Sequence, residues 1–170
     1  MKGKRVSFWR RVVAFWGILA CLAVPHAAAA DAAGVPVARD FQADAAQARA
    51  RRVPILVLVE AKDCVYCRRV LDEFLIPMSR NADYQAKVIL RRVTTRSPLV
   101  LVDFSGRRVS QAAFVKAHGV KFTPTVLLLG PDGEELVEPL VGLSTPDYYG
   151  AFLDQAIDGA REKLTAPAGR

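Results

Sequence analysis

The sequence predicts a single α/β domain in which a mixed sheet carries helices on both faces. Two runs have the length and composition of strands that are buried on both sides: residues 55–59 are all apolar, and residues 125–129 are apolar after Thr125. Stretches in which apolar residues recur at helical spacing lie before, between and after these runs. Together these observations predict strands covered by helices around one core, which suits a chain of 170 residues.

The amino-terminal half of the domain predicts a parallel strand–helix–strand unit. A helix over residues 40–52 precedes the first apolar run, and a second helix over residues 64–76 follows it. Pro77 is expected to stop or kink this second helix, because proline removes a backbone hydrogen bond. A short helical turn over residues 82–86 then leads into a strand over residues 88–94.

The carboxyl-terminal half predicts antiparallel strands and two further helices. The Ser-Gly pair at residues 105–106 predicts a two-residue hairpin turn between two short strands. The Pro-Asp-Gly sequence at 131–133 predicts a turn from the second apolar run into a strand over residues 134–141. Ser110 and Thr145 are expected to cap the two helices.

The first thirty residues predict a cleavable export signal. A basic segment precedes 13 apolar residues at 12–24, and Pro25 and four alanines at 27–30 follow. Thirteen apolar residues are fewer than the roughly 20 that span a bilayer. An uncleaved anchor, or a lipid attached at Cys21, is the alternative. The predicted boundaries are a signal peptide over residues 1–30, a linker over 31–39, a domain over 40–164 and a frayed tail over 165–170.

The composition excludes several classes of protein. With 52% apolar residues the chain is too hydrophobic for intrinsic disorder, and with 3 cysteines it is no disulfide-rich scaffold. The net charge is +7, but the first thirty residues hold five basic residues and no acidic one. The remainder carries only +2, so no nucleic-acid partner is predicted for the exported domain.

The chemistry of the chain is predicted at Cys64-Val65-Tyr66-Cys67. The start of a helix carries unpaired N–H groups and about half a positive charge, which favours a thiolate at the first cysteine. The second cysteine lies one helical turn further on, within reach of the first sulfur. We expect Cys64 to act as the nucleophile and Cys67 as the resolving thiol of a thiol–disulfide exchange that passes through a mixed disulfide.

Other chemistries at this pair of cysteines are weaker readings. Covalent haem attachment requires a histidine after the second cysteine, and residue 68 is Arg68. A zinc site needs four ligands, and beside the two cysteines the exported chain offers only His118, which we interpret as a surface or helix-capping residue. No metal site is therefore predicted, although copper(I) binding by the two thiolates and a purely structural disulfide stay open.

Thr123 and Pro124 stand directly before the second buried strand, where a proline can take the cis form and fix a tight turn. With this element in place, residues 52–163 resemble the thioredoxin-like superfamily. The order of strand, C-x-x-C helix, Thr-Pro, strand, turn, strand and final helix carries the resemblance. The export signal and the hairpin make the chain most similar to periplasmic thioredoxin-fold proteins of the SoxW type.

The resemblance implies a thioredoxin fold, with a central mixed sheet of four to five strands, helices on both faces and a small hairpin insertion. It implies that Cys64 and Cys67 form a redox-active disulfide and that no other cofactor is needed. It also implies that Pro124 is cis and packs against this disulfide, and that the backbone of Thr123 pairs with an extended substrate.

The chain departs from the usual thioredoxin pattern at several positions. Val65 and Tyr66 replace the familiar Gly-Pro between the cysteines, and Asp63 replaces a tryptophan. Leu58 stands where many thioredoxins carry a buried acid that accepts the proton of the resolving thiol. Glu60 is a possible substitute as proton acceptor; an exposed acid at the strand end is the alternative reading.

These inferences predict an exported, monomeric thiol–disulfide oxidoreductase in the periplasm. The resemblance implies that it reduces periplasmic proteins that carry disulfides, with a membrane thiol–disulfide transporter as its electron donor. A dithiol oxidase is the alternative within the same enzyme class. A dithiol copper(I) carrier and a non-catalytic thioredoxin-fold binding module are the alternatives from other classes.

Overall fold

A four-stranded mixed sheet forms the centre of the computed structural model, which describes residues 34–166. The strands, in chain order, are β1 (Ile55–Glu60), β2 (Ile89–Thr94), β3 (Val100–Val102), β4 (Arg108–Ser110), β5 (Thr125–Leu129) and β6 (Leu140–Val141). The central sheet has the order β2–β1–β5–β6, with β1 parallel to β2 and antiparallel to β5. Strands β3 and β4 form a separate two-stranded sheet. This arrangement confirms the predicted α/β class, the thioredoxin fold and its hairpin insertion.

Helices cover both faces of the central sheet. They are α1 (Phe41–Arg51), α2 (Val65–Arg69), α3 (Ile76–Arg80), α4 (Ala82–Lys87), α5 (Gln111–Ala117) and α6 (Tyr149–Thr165). A π-helical segment, Val70–Leu75, joins α2 to α3, so residues 65–80 are helical without a break. Within residues 34–166, no helix is both long and apolar enough to cross a membrane.

The two buried strands, β1 and β5, contribute side chains to two separate hydrophobic clusters, one on each face of the sheet. Because side chains alternate across a strand, one set faces the π-helical segment, α3 and α6, and the other faces α1 and α5. The first cluster includes Leu56, Leu58, Val126 and Leu128. The second includes Ile55, Val57, Val59, Leu127 and Leu129. This use of both faces is why the two runs do not alternate between apolar and polar residues. Thr125 is their one polar residue, and it is buried as well.

Phe41 is the centre of the second cluster. Its side chain is fully buried, and its ring stacks on Phe104 at 4.9 Å and on Phe114 at 4.6 Å between ring centroids. Phe104 belongs to the loop of the hairpin and Phe114 to α5. The side chain of Phe41 therefore packs against both the hairpin loop and α5 in the cluster that covers this face of the sheet.

The helix after the cysteines does not stop at Pro77, so of the two predicted outcomes, a stop or a kink, the stop is wrong. The N–H of Ile76 donates to the carbonyl of Leu71, five residues back, so the helix is widened directly before the proline. Pro77 then occupies the first turn of α3, where its missing N–H is tolerated. The widened segment lets one continuous helix contain a proline, and the helix ends only at Arg80.

The hairpin is also longer at its turn than predicted. The predicted two-residue turn is wrong, because residues 103–107 form a five-residue loop between β3 and β4. The carboxylate of Asp103 accepts hydrogen bonds from the N–H groups of Ser105 and Arg107, both at 2.9 Å. An aspartate whose carboxylate accepts hydrogen bonds from backbone N–H groups of the next few residues stabilises such a loop instead of a tight turn.

The strand predicted over residues 134–141 is interrupted. Glu135 pairs with Leu129, and regular pairing with β5 resumes only at β6. Pro139 lies in the gap and has no N–H to contribute to a ladder. The last helix also starts differently: Thr145 makes no capping hydrogen bond, and a short 3₁₀ turn over Pro146–Tyr148 precedes α6.

Part of the predicted linker belongs to the folded domain. The N–H of Ala38 donates to the carbonyl of Arg92 at 2.9 Å, and the N–H of Arg92 donates to the carbonyl of Pro36 at 2.9 Å. Val35 and Ala38 are buried. Residues 35–38 therefore run along the outer edge of β2, contrary to the expectation of a loose linker.

The two ends of the chain contain the remaining predictions about organisation. At the carboxyl end, α6 includes Thr165, the first residue of the predicted frayed tail, whose hydroxyl bonds the carbonyl of Arg161. The predicted export signal, with Cys21 and its alternative of lipid attachment, lies outside the described residues.

Candidate active site

The first cysteine lies where β1 passes into the long helix. A short turn over residues 61–63 follows Glu60, and Asp63 adopts the left-handed conformation with φ of 59°. Aspartate tolerates this conformation better than most residues. Cys64 then occupies the N-cap position of α2 in an extended conformation. The turn thus brings the cysteine to the exposed end of a helix.

The two sulfurs form a disulfide and have different exposures. Cys64 and Cys67 are joined with their Cα atoms 5.2 Å apart. The side chain of Cys64 is partly exposed, whereas Cys67 is 1% exposed. The backbone N–H of Cys67 donates to the Sγ of Cys64 at 3.1 Å. The sulfur that a second protein can reach is therefore the one that receives the helix N–H.

The segment before β5 contacts the exposed sulfur. The hydroxyl of Thr123 donates to the Sγ of Cys64 at 3.8 Å, a distance within reach of a hydrogen bond to sulfur. The Thr123–Pro124 peptide bond is cis, and the N–H of Gly142 donates to the carbonyl of Pro124 at 2.7 Å. Residues 59 positions apart in sequence thus meet at one sulfur. The family resemblance implies a role for the backbone of Thr123, whereas the contact of its hydroxyl with Cys64 has no signal in the sequence.

Glu60 is held by the neighbouring strand. Its carboxylate accepts a hydrogen bond from the guanidinium of Arg92 at 2.7 Å, and its side chain is 13% exposed. The reading of Glu60 as an exposed strand-end acid is therefore wrong. Because strand side chains alternate, Glu60 shares a sheet face with Leu58. Leu58 packs in one cluster with Val70, which belongs to the helix after the cysteines, residues 65–80 (the redox helix). Arg92 is a partner that sequence reasoning missed.

Exposed apolar side chains flank the sulfur of Cys64. Val65 and Tyr66, between the cysteines, are 57% and 59% exposed, and Phe122, next to Thr123, is 69% exposed. Large apolar side chains clustered in water typically mark a surface that another protein covers. Phe122 gave no signal in the sequence beyond its position next to the Thr-Pro pair.

Among the titratable groups of this part of the molecule, Glu73 and His118 have shifted pKa values. Arg69 and Glu73 form an ion pair one turn apart on the helix, and the hydrogen bond from Arg69 lowers the pKa of Glu73. The ring of His118 packs against that of Phe114 with centroids 4.4 Å apart and a tilt of 49°, and burial lowers the pKa of His118. In the part of the chain that the structure describes, no three His, Cys, Asp or Glu residues cluster as a metal site would require.

The model of one protein family, the thioredoxin-like domain, matches residues 41–157. The chain belongs to this family. The match includes the Cys64–Cys67 disulfide and the Thr-Pro element. The protein is accordingly a thiol–disulfide oxidoreductase. No curated protein matches the sequence.

Solved structures resemble this member of the family at low sequence identity. The periplasmic thioredoxin SoxS from Paracoccus pantotrophus, in its reduced form, is 25% identical, with a TM-score of 0.44; the match covers 63% of this chain and 98% of that one. A thioredoxin h from poplar is 20% identical, with a TM-score of 0.46, covering 68% and 86%. The carboxyl-terminal domain of DsbD from Neisseria meningitidis, oxidised, is 16% identical, with a TM-score of 0.44, covering 71% and 98%.

Proposed function

We propose that this oxidoreductase is an exported reductant of protein disulfides in the periplasm, with Cys64 as its nucleophile and Cys67 as its resolving cysteine. The proposal rests on the difference in solvent exposure between the two cysteines. Cys64 is partly exposed at the start of a helix, and Cys67 is buried behind it. A client disulfide can therefore reach Cys64 first, whereas the buried Cys67 can react only with the sulfur of Cys64.

Three groups favour ionisation of Cys64. The helix that begins at Val65 directs its N-terminal partial charge at this residue. The N–H of Cys67 and the hydroxyl of Thr123 both point at its sulfur. A thiolate that receives such donors is the nucleophilic form of cysteine, so the reduced enzyme is prepared for attack.

The exchange proceeds in two balanced steps. The thiolate of Cys64 attacks one sulfur of the client disulfide, forms a mixed disulfide and releases the other client sulfur as a thiolate. Cys67 then loses its proton and attacks the Sγ of Cys64, which releases the second client thiolate. Two electrons pass to the client, whose thiolates take up protons, and the enzyme is left with the Cys64–Cys67 disulfide.

Reduction, rather than oxidation, is the direction that we favour. Between β2 and α5 the described chain contains only the small hairpin, with no inserted helical domain of the kind expected for an oxidase. The resemblance to SoxW-type proteins points the same way. We further propose that a membrane thiol–disulfide transporter supplies the electrons, that the protein acts as a monomer, and that its redox-active disulfide is its sole cofactor.

The reduction potential of the cysteine pair tests the direction. Equilibration of the purified protein with glutathione buffers, followed by trapping of free thiols, gives this potential. We expect a value close to that of reducing thioredoxins, about −270 mV, together with reduction of insulin in the presence of dithiothreitol. A potential near −120 mV would instead identify a dithiol oxidase. Tight stoichiometric copper(I) binding without insulin reduction would identify a metal carrier.

Glu60 is proposed to accept the proton of Cys67 during the second step. It lies on the sheet face beneath the redox helix, and Arg92 holds its carboxylate at 2.7 Å. Removal of a general base slows a proton transfer by about 10²-fold or more. We therefore expect Glu60→Gln to slow resolution of the mixed disulfide at least roughly tenfold and to flatten its dependence on pH.

Rapid acid quenching of the mixed disulfide at several pH values measures this resolution step. Glu138→Gln is the matched control, since Glu138 is an exposed acid that forms no ion pair with another residue of the described chain. Equal resolution rates and equal pH profiles for Glu60→Gln and the control would show that Glu60 has only a structural role.

A further inference from the structure

A basic cleft opens beside the exposed sulfur. It has a volume of about 560 Å³ and lies between the turn after β1, the loop after β2, the helix α5 and the loop that leads into β5. Its walls are lined by Ala61, Thr95, Arg96, Lys116, Lys121 and Thr123, among others. A volume of this order is typical of sites that bind a small molecule or a short peptide segment.

The charge of this cleft has one sign. Arg96, Lys116 and Lys121 contribute three cations, and none of the lining residues is acidic. Within residues 34–166, none of the three forms an ion pair with a carboxylate. Cations that converge on one cleft without an internal partner attract an anionic one.

The cleft is continuous with the redox site through Thr123. This residue lines the cleft, and its hydroxyl also contacts the Sγ of Cys64. A second cleft, of about 600 Å³, shares Ala61, Thr95 and Arg96 with the first and adds Lys62. Glu60 is the acid that lines this second cleft, and Arg92 neutralises it. The positive surface therefore begins at the point where a client disulfide would meet the enzyme.

We propose that the basic cleft, defined by Arg96, Lys116 and Lys121, receives an acidic polypeptide segment next to the disulfide that the enzyme reduces. The inference rests on the proposed function and narrows its substrates to proteins in which aspartate or glutamate flanks the reducible disulfide. A polypeptide fits better than a small anion, because Val65, Tyr66 and Phe122 expose large apolar side chains beside the same sulfur.

Two synthetic peptides with the same intramolecular disulfide test the substrate class. One carries glutamates and the other lysines on both sides of the disulfide. We expect the reduced enzyme to reduce the acidic peptide with a kcat/KM roughly tenfold higher at low salt. Added salt should shrink this difference, because exposed charges are screened within about 10 Å at 0.1 M.

Charge variants assign the preference to the cleft. Arg96→Gln combined with Lys116→Gln and Lys121→Gln should abolish most of the tenfold preference by lowering kcat/KM for the acidic peptide more than for the lysine peptide. The control combines Arg80→Gln, Arg108→Gln and Lys163→Gln, which remove three exposed cations outside both clefts. Loss of the preference in the control as well would overturn the assignment to the cleft.

A binding measurement tests the preference of the cleft for an acidic segment independently of the proposed reductase activity. Fluorescence anisotropy of each peptide, with its cysteines alkylated, reports binding to the oxidised wild-type protein without any exchange. Reduction of both peptides at equal rates, with equal binding, would contradict the cleft proposal and leave the reductase intact. Selective binding of the acidic peptide without reduction of either peptide would support the cleft and contradict the reductase.

Discussion

Replacement of Cys67 by serine is expected to leave the protein joined covalently to its clients, whereas replacement of Cys64 by serine is expected to prevent any such joining. Without Cys67, the partly exposed sulfur of Cys64 still attacks a client disulfide, but no internal thiol resolves the product. Without Cys64, the remaining sulfur is buried and 1% exposed. Both variants should lose insulin reduction by a factor of about 10³ or more.

Acid trapping of cell extracts followed by non-reducing electrophoresis measures the covalent adducts. The double variant, with both cysteines replaced, is the control for adducts that arise elsewhere. Tyr66→Phe is a second control, because it alters the segment between the cysteines without removing a sulfur. Equal trapping by the two single variants would contradict the roles assigned to Cys64 and Cys67.

Phe41→Ala is expected to lower the free energy of unfolding by about 3–5 kcal/mol, the range seen for removal of a buried phenylalanine. The side chain is fully buried, and its ring stacks on those of Phe104 and Phe114. Its removal leaves a cavity between α1, α5 and the hairpin loop. A change of this size is a large part of the roughly 5–15 kcal/mol that stabilises an ordinary domain.

Urea denaturation followed by circular dichroism measures this effect. Phe122→Ala is the matched control, since Phe122 is 69% exposed and its removal should change stability by no more than about 0.5 kcal/mol. If Phe41→Ala does not fold, Phe41→Leu retains part of the volume and should show a smaller loss. A loss below about 1 kcal/mol in Phe41→Ala would contradict the central position of Phe41 in this cluster.

The parts of the fold that follow from local pattern were predictable. Apolar runs without polar alternation identified β1 and β5 because each strand is buried on both faces. The serine at 110 identified the start of α5, and its hydroxyl accepts a hydrogen bond from the N–H of Ala113 at 3.1 Å. The spacing of Cys64 and Cys67 at a helix start predicted the redox pair without any knowledge of tertiary structure.

Two parts of the fold were not predictable because the same local sequence allows two conformations: the helix at Pro77 and the hairpin turn at residues 105–106. A proline inside a helical pattern normally ends the helix, and only the widened segment Val70–Leu75 lets it continue through Pro77. The Ser-Gly pair at 105–106 signals a tight turn, but the carboxylate of Asp103 captures the backbone N–H groups of a longer loop. In both places a competing hydrogen bond changes the outcome.

The parts of the site that depend on long-range contact were also beyond the sequence. Nothing near Glu60 in the chain indicates that Arg92, 32 residues later, binds its carboxylate. The hydroxyl of Thr123 reaches Cys64 only because β5 lies beside β1. The cations of the basic cleft come from separate segments, and the small net charge of residues 31–170 gives no sign that they converge.

The pH dependence of the alkylation of Cys64 tests the chemistry of the site most directly. Iodoacetamide reacts with the thiolate, so its rate on a variant that combines Cys21→Ser with Cys67→Ser, and thus has one cysteine, reports the ionisation of Cys64 alone. We expect a midpoint within roughly 3.5–7.5, and a higher midpoint once Thr123→Val removes the hydroxyl donor. A midpoint at about 8.5, the ordinary value for cysteine, would contradict an activated nucleophile at position 64.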